Sequence, residues 1–341
     1  MHVLTDELER ISLPAHWASQ ASILTIGAFD GIHLGHQHLI RQMVAYGKQQ
    51  NKLCGLVTFY PHPATILSAR PAPLYLTTPG EKNILLETQH LDWTVILPFT
   101  QQLSKMPPRE FIRHLYQQLN MRGLWISQDF ALGHKRQGTP PTLQTLGDEM
   151  GFEVQVVPPL YYDGAKISSS RIRTMLRHGH VQKAATLLGR SYRIAGEVIH
   201  GAQRGRCIGF PTANVHILSS RVVPANGVYA TWAHLGRNTY PAVTNIGTRP
   251  SFDNGAKSIE AHLIGFDQDI YGCDLVLEFV ARLRPERRFP DVQALITQIR
   301  HDIAQAQHIL QLALEQNLSR QTKSFSKEAA SCSQPPSKSP L

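Results

Sequence analysis

Two hydrophobic rhythms follow one another along the 341 residues, and they meet near Gly189. Before it, short apolar runs alternate with helix-period segments. "SILTIGAF", "LCGLVTF", "WTVILPF", "GLWIS" and "FEVQVV" read as strands. Between them, "HQHLIRQMVAYGK" puts Leu39, Met43 and Tyr46 on one helical face, and "EKNILLETQH", "PPREFIRHLYQQLN" and "PTLQTLGDEMG" are helix-like. This alternation predicts an α/β domain, a doubly wound parallel sheet with helices on both faces. After Gly189 the strands come without helices: "YRIAGEVIHG", "GVYATWAHL", "YPAVTNIG", "SIEAHLIGF" and "DLVLEFVARLR". Short strands punctuated by turn residues predict a small antiparallel β-barrel domain. One C-terminal helix follows, with Val292, Leu295, Ile296, Ile299, Ile303, Ala306, Leu310 and Ala313 in a single stripe. The expected domains are 1–183 and 187–317, with the seam in "RHGHVQKAATLLGRSY". Residues 318–341 are polar and rich in Pro and Ser, and composition predicts a disordered tail.

Composition narrows the class. With 42% hydrophobic and 17% charged residues the chain suits a soluble protein with real cores. The start "MHVLTDELER" has no basic region followed by an apolar one, so no signal peptide is read. No apolar run is long enough to span a bilayer, and no membrane partner is expected. Cys54, Cys207, Cys273 and Cys332 form no C-x-x-C pair, which argues against a zinc ribbon or disulfide framework and for a reducing cytoplasm. The formal charge of +9 suits solubility, a basic tail and anionic small ligands. Dense Lys/Arg runs are missing, and charge alone does not choose between phosphates on a nucleotide and phosphates on RNA; the expectation is no nucleic-acid partner, with a basic nucleic-acid-binding protein as the rival. Nothing in the sequence fixes an oligomeric state.

The chemistry concentrates at junctions. In "GAFDGIHLGHQ", His33 and His36 sit where a strand gives way to a helix. Ligands of open α/β sheets bind at the carboxyl ends of strands, and a helix starting there offers free N–H groups to phosphate. Gly31 and Gly35 would let backbone approach a phosphate, and the two imidazoles would donate to charge growing on it. At the far end of the same half, "ISSSRIRTMLRHG" offers a second helix start, with Ser168, Ser169, Ser170 and Arg171 near phosphates or simply capping the helix. "GHKRQGT", Gly133 to Thr139, lacks the G-K-[ST] ending of a P-loop. In the second half, "HGAQRGRCIGFPTANV" sets Gly201, Gly205 and Gly209 around Arg206, a loop able to cradle phosphates. Thr212 and Asn214 offer hard oxygens to Mg²⁺, although "PTAN" alone reads as a Pro-Thr turn. Glu260 in its alternating strand is either a solvated residue or a general base for a hydroxyl nucleophile.

The first two motifs resemble those of the H-x-G-H nucleotidylyltransferase superfamily. The ordered set "GAFDGIHLGHQ", "TFYPHP", "DFALGHKRQG", "ISSSRIR", "LLGRSYRIAGEVIHG", "GRCIGFPTANV", "NIGTRPSF", "IEAHLIGFDQDIYG" and "LRPERRF" resembles the bacterial bifunctional riboflavin kinase/FMN adenylyltransferase (FAD synthetase) family up to about residue 316. The resemblance implies an α/β nucleotidyltransferase domain that adenylylates FMN, then a barrel that phosphorylates riboflavin. ATP is the co-substrate, Mg²⁺ the cofactor, and riboflavin, FMN and FAD are substrates or products. It implies catalytic roles for His33, His36, Arg171 and Glu260, with Ser170 and Arg171 on the leaving pyrophosphate. Gly27, Phe29, Asp30, His62, Asp129, Ser168, Ser169 and Ser170 would bind nucleotide or flavin in the first half. Gly205, Arg206, Gly209, Asn245 and Arg249 would do so in the second, and Thr212 and Asn214 would hold the metal. Family members usually carry glycine where Ser127 stands, an aromatic where Leu132 stands, asparagine where Ala28 stands and proline where Ser191 stands. Ser127 and Leu132 motivate an alternative, a riboflavin kinase with a weakened adenylyltransferase domain.

Overall fold

The structure, a computed structural model, describes residues 1–67, 74–201, 204–248 and 257–332, the side chains of Arg204 and of 317–332 excepted. The described chain forms two compact units. One comprises Met1–Thr174, Leu187–Gly189 and Ser220–Val222; the other comprises Met175–Thr186, Arg190–Ser219 and Val223–Leu341.

The first unit is built on six strands: β1 (His2–Thr5), β2 (Ser22–Ile26), β3 (Leu53–Tyr60), β4 (Trp93–Pro98), β5 (Met121–Ser127) and β6 (Glu153–Val157). Their order is β1-β4-β3-β2-β5-β6, and every neighbouring pair is parallel. The connections carry α1 (Leu34–Gln49), α2 (Pro63–Leu67), α3 (Pro79–Glu87), α4 (Gln101–Lys105), α5 (Pro108–Gln118) and α6 (Pro140–Met150). A short hairpin, β7 (Tyr161–Tyr162) with β8 (Ala165–Lys166), precedes α7 (Ser169–Arg177) and α8 (Val181–Leu188). Strand periodicity explains the two cores. Leu24, Val57 and Leu124 point to the face covered by Phe111, Ile112 and Leu115 of α5. Their neighbours Ile23, Leu56 and Trp125 point to the other face, under Leu39, Ile40 and Met43 of α1. The sheet grows from β2 through β3 to β4, then resumes with β5 on the other side of β2. That reversal leaves a crevice at the carboxyl ends of β2 and β5.

The second unit is a closed barrel. Its strands are β9 (Tyr192–Ile199), β10 (Ala213–His216), β11 (Gly227–Leu235), β12 (Asn238–Thr248), β13 (Lys257–Leu263) and β14 (Asp274–Arg284). Their order is β10-β13-β12-β11-β14-β9, antiparallel throughout and closed by β9 on β10. Leu275, Leu277, Phe279 and Ala281 of β14 face the inside, as their alternation with Glu278 and Arg282 predicts. The one-turn helix α9 (Arg204–Cys207) lies before β10, and α10 (Val292–Cys332) ends the described chain. Ala306 and Leu310 of α10 pack with Ala230 and Ala281 of the barrel. The stripe's first member differs from expectation: Val292 is 58% exposed. Arg284 ties the helix down, donating to both oxygens of buried Asp302 at 2.8 to 3.1 Å.

The helix runs on past Leu318, where composition predicted chain without structure. The stretch to Cys332 contains no Pro or Gly, and its Leu, Arg, Gln, Lys, Glu and Ala are good helix formers, although Ser is its commonest residue. The rest of the expected tail, 333–341, lies outside the described residues.

Candidate active sites

In the first unit the crevice between β2 and β5 opens into a cavity of about 510 Å³. It brings together Gly27, Phe29, Asp30, His33 and His36 from one side and Ser168, Ser169 and Ser170 from the other, with His62 and Asp129 at its walls. His33 is the N-cap of α1. Its Nδ1 accepts the His36 N–H at 3.2 Å, which leaves the proton of the neutral ring on Nε2. The two imidazoles stack with centroids 3.6 Å apart and planes 14° from parallel. His36 Nδ1 is buried and has no hydrogen-bond partner. Burial holds the His36 pKa well below its ordinary value, and the nearby charges of His33, Lys82 and Lys166 act in the same direction. The ring is therefore neutral at physiological pH, and it lines the cavity.

The glycines divide. Gly35 lines the cavity, and a Cβ there would meet the His33 ring at 3.2 Å. Gly31 does not line it. Its φ of +83° and the 2.8 Å that would separate a Cβ from Leu76 Cδ1 make it a structural glycine.

The serines and arginines also divide. Ser168 Oγ accepts the Arg171 N–H at 3.3 Å, capping α7, and Ser169 Oγ donates to the Asp30 carbonyl at 2.8 Å. Arg171 turns to the β7–β8 hairpin, donating to the carbonyls of Tyr162 and Ala165 at 2.7 Å each, and it does not line the cavity. Arg173 does. Its guanidinium pairs with Asp30 at 2.5 Å, the side chains 7% and 1% exposed. Asp30 also accepts the Leu76 N–H at 3.0 Å and the Thr77 N–H at 3.1 Å. Its carboxylate is thus engaged by protein groups on several sides. Two residues on a helix lie roughly 200° apart around the axis, so the sequence motif alone did not say which arginine faces inward.

Sequence reasoning also missed Lys82. This buried amine donates to the Ala28 carbonyl at 2.8 Å and to Thr58 Oγ1 at 3.3 Å, and burial pushes its pKa down to about 8. In "EKNILLE" it is indistinguishable from a solvated helix charge. His62 Nδ1 caps the next turn by accepting the Ala64 N–H at 3.1 Å, and burial, with Arg173 beside it, lowers its pKa. Burial alone would raise the pKa of Asp129, but hydrogen bonds from Lys166 and Ser127 outweigh it and leave the group more acidic than usual. A second, more apolar cavity of about 470 Å³ adjoins the first through Gly27, His62 and Asp129, walled by Phe59, Phe99 and Phe111. Of the four departures from the family pattern, Ala28, Ser127 and Leu132 line it.

In the second unit, register builds the site. Glu260 of β13 pairs with Asn214 of β10 on one side and Asn245 of β12 on the other. Val228 and Arg284 continue the row across β11 and β14. Paired residues share a face of the sheet. Gly205, Thr212, Asn245 and Glu260 line a cavity of about 500 Å³ that reaches Val292 and Ile299 of α10. Three carboxylates border it. Asp302 is held by Arg284 and by Gln298 at 2.6 Å, and Glu286 accepts from Asn226 at 2.9 Å. The Glu260 side chain has no hydrogen bond or ion pair to another described residue. A smaller cavity of about 290 Å³ is lined by Arg206, Asp267 and Tyr271, and Thr212 borders both. Gly205 fits only as glycine, because a Cβ would lie 2.3 Å from the Phe210 carbonyl oxygen. Asn214 is buried against Gly201 and, unlike Thr212, lines neither cavity; Gly209, at φ +88°, shapes the loop and lines neither as well. Arg249 lies outside the described residues.

A doubly wound sheet with a phosphate-type crevice, followed by a barrel with a glycine loop and a carboxylate facing a cavity, defines a two-domain nucleotide-dependent transferase. Comparison with known proteins gives the family. The family described as FAD synthetase matches residues 15–171, and the one described as riboflavin kinase matches residues 188–310. The bifunctional riboflavin kinase/FMN adenylyltransferase of Bacillus subtilis is 36% identical over 291 residues, 84% of this chain and 91% of that protein. The protein of the same description from Escherichia coli K12 is 34% identical over 285 residues, 83% and 91% of the two chains. A solved structure titled a macrolide-efflux protein, from Streptococcus pneumoniae, superposes with a TM-score of 0.82 at 30% identity, covering 89% of this chain and 97% of that one. The chain belongs to the bifunctional riboflavin kinase/FMN adenylyltransferase family. It is an enzyme that phosphorylates riboflavin to FMN and adenylylates FMN to FAD, with ATP as co-substrate of both reactions. Both domains are present, and nothing found supports the weakened-adenylyltransferase alternative.

Proposed function

We propose that adenylyl transfer takes place in the cavity below His33 and His36, and riboflavin phosphorylation in the barrel cavity beside Glu260. The functional boundary then falls near residues 183–187, between the two family-matched stretches. The observation that carries the reading is the stacked pair of histidines at the sheet's reversal, both lining a cavity large enough for phosphates, with His36 Nδ1 buried and unpartnered.

In the first reaction an FMN phosphate oxygen attacks the α-phosphorus of ATP, and the bond to the β-phosphate breaks as pyrophosphate leaves. The nucleophile is already ionised, so no base is needed. His33 and neutral His36 donate N–H groups to oxygens that gain charge. Arg173, rather than Arg171, balances charge inside the cavity, and Ser170 with the amides that open α7 receives the leaving pyrophosphate. The apolar cavity beside Phe59 and Phe111 suits the flavin ring. In the second reaction Glu260 takes the proton of the ribityl 5′-hydroxyl as its oxygen bonds to the γ-phosphorus, and ADP leaves. Gly205 and Arg206 would cradle the phosphates.

Thr212 and Asn214 would hold Mg²⁺. Two oxygen donors, with no group of three His, Cys, Asp or Glu among the described residues, suit a cation carried in on nucleotide phosphates rather than caged by protein. Bound there, it would neutralise phosphate charge. We place the enzyme in the cytoplasm with small-molecule partners alone, a reading supported by free thiols at Cys54, Cys207 and Cys273 and by the lack of dense basic runs. Among the described residues no helix is long and apolar enough to cross a membrane.

The test is His36→Ala in the full chain, assayed with riboflavin, ATP and Mg²⁺ and resolved by chromatography. FMN should accumulate while FAD formation falls by about 10²–10³, the usual cost of one such donor. An unchanged FMN-to-FAD rate removes His36 from the reaction.

A further inference from the structure

Three residues that lie in sequence between β10 and β11 belong to the first compact unit: Ser220, Arg221 and Val222. They clamp one run of that unit, Tyr75–Lys82, near both ends. At its start the Tyr75 N–H donates to the Ser220 carbonyl at 2.7 Å, and the Val222 N–H donates to the Tyr75 carbonyl at 3.0 Å. Near its end Arg221 pairs with Glu81 at 2.9 Å, the arginine side chain only 3% exposed.

The clamped run holds the walls of the adenylyl cavity. The Tyr75 hydroxyl accepts the His62 N–H at 2.8 Å. The amides of Leu76 and Thr77 hold Asp30, and Thr77 Oγ1 accepts the Gly31 N–H at 3.2 Å. Lys82 holds the Ala28 carbonyl at the end of β2. Asp30 and Gly31 stand three and two residues before His33. Glu81 also completes a capping box with Thr78, so the partner of Arg221 is fixed to the first turn of α3.

We infer that Ser220–Val222 braces the adenylyl-transfer site and that Arg221 is a positioning residue for FAD formation. The inference rests on the assignment of that cavity to adenylyl transfer. Arg221 touches none of the reacting groups. It acts through Glu81 and α3 on Ala28, and through the strap on Tyr75 and His62. Misplacement of reacting groups by about 1 Å can cost on the order of 10²-fold in rate, so a loosened brace should register in turnover while the flavin's apolar contacts persist. Removing Arg221 leaves Glu81 its Thr78 amide, so the cap of α3 survives and the loss is confined to the tie.

The experiment uses the full chain and reads the two activities separately. Arg221→Met should lower kcat for FMN to FAD by about tenfold or more with KM for FMN little changed, and leave riboflavin phosphorylation within about twofold. Arg221→Lys, which keeps the charge, should recover most of the loss. Tyr75→Phe keeps the ring but frees the His62 N–H, and should lower the same activity with the ion pair intact. FAD formation near the unsubstituted rate in Arg221→Met overturns the inference, as does parallel loss of both activities, or a lysine variant no better than methionine. The two readings separate cleanly: if His36→Ala abolishes FAD formation and Arg221→Met does not, only the brace falls.

Discussion

Replacing Glu260 by glutamine tests the barrel site with little structural disturbance. The Glu260 carboxylate makes no hydrogen bond or ion pair with another described residue, whereas Glu286 and Asp302 around the same cavity are engaged. Glutamine keeps its size and occupies the same row between Asn214 and Asn245. The stability change should therefore stay within about 0.5 kcal/mol, as for substitutions that remove no contact. The rate change should not be small. Loss of a general base costs about 10²–10⁴, which at about 1.36 kcal/mol per decade is about 2.7–5.4 kcal/mol of transition-state stabilisation. The assay follows riboflavin and supplied FMN in parallel, with Mg²⁺ and ATP in excess. Riboflavin phosphorylation should fall by that factor and should not recover as Mg²⁺ is raised, while supplied FMN is still converted to FAD. Phosphorylation within about threefold of the unsubstituted chain would refute the reasoning and leave Glu260 a strand residue facing water. A Glu286→Gln variant that lost phosphorylation instead would move the base to the other carboxylate.

Other expectations follow from the buried charges of the first unit. Asp30→Asn strips the partner from Arg173 in a pair whose side chains are 7% and 1% exposed, and should cost about 3–5 kcal/mol. Urea unfolding followed by tryptophan fluorescence reads this unit, which holds Trp17, Trp93 and Trp125, and a loss below about 1 kcal/mol would contradict the account. Lys82 gives a pH signature. Its pKa falls from 10.5 to about 8 in the folded chain, so between those values the unfolded chain keeps a proton that the folded chain has released. Stability of the first unit should therefore rise with pH in that window. Cys54, whose thiol burial pushes up to about 12 from 9, acts in the opposite direction above about pH 9. Comparison with Lys82→Met between pH 7.5 and 9 isolates the lysine, and identical slopes in the two proteins would sink the assignment.

Most of the architecture was legible because hydrophobic period carries it. The alternation Ile23/Leu24 and Leu56/Val57 feeds two cores on two faces of a parallel sheet, and that pattern is written locally. Four strands escaped, among them the two-residue partners β7 and β8 of one short hairpin. β1 is four residues long and mostly exposed, so it carries no alternation, and it is recognised only by its pairing with β4. β10 is hidden in "PTAN", where the Pro-Thr pair suggests a turn; its neighbours β9 and β13 in the ladder make it a strand. The same limit governs the site. His33 and His36 were legible because the motif is local and a helix start fixes its geometry. The sequence singled out Arg171, but Arg173, two residues further on, lines the crevice, and which of them does so depends on how α7 packs. Lys82 and Arg221 look like surface charges in sequence, and only contacts across 54 and 140 residues bury them. For the stretch from Leu318 to Cys332 composition alone was a poor guide to helix ends: few apolar residues predict no core, yet they do not forbid a helix continuing from a docked one.

The central claim is that two separate sites on one chain perform two reactions through different residues. Mixing two variants tests it most directly. His36→Ala should still make FMN from riboflavin, and Glu260→Gln should still turn FMN into FAD. Neither variant alone should convert riboflavin to FAD at an appreciable rate. Incubated together with riboflavin, ATP and Mg²⁺, they should restore FAD formation, limited by transfer of FMN between molecules. A mixture that makes no more FAD than the two variants make separately would contradict the account.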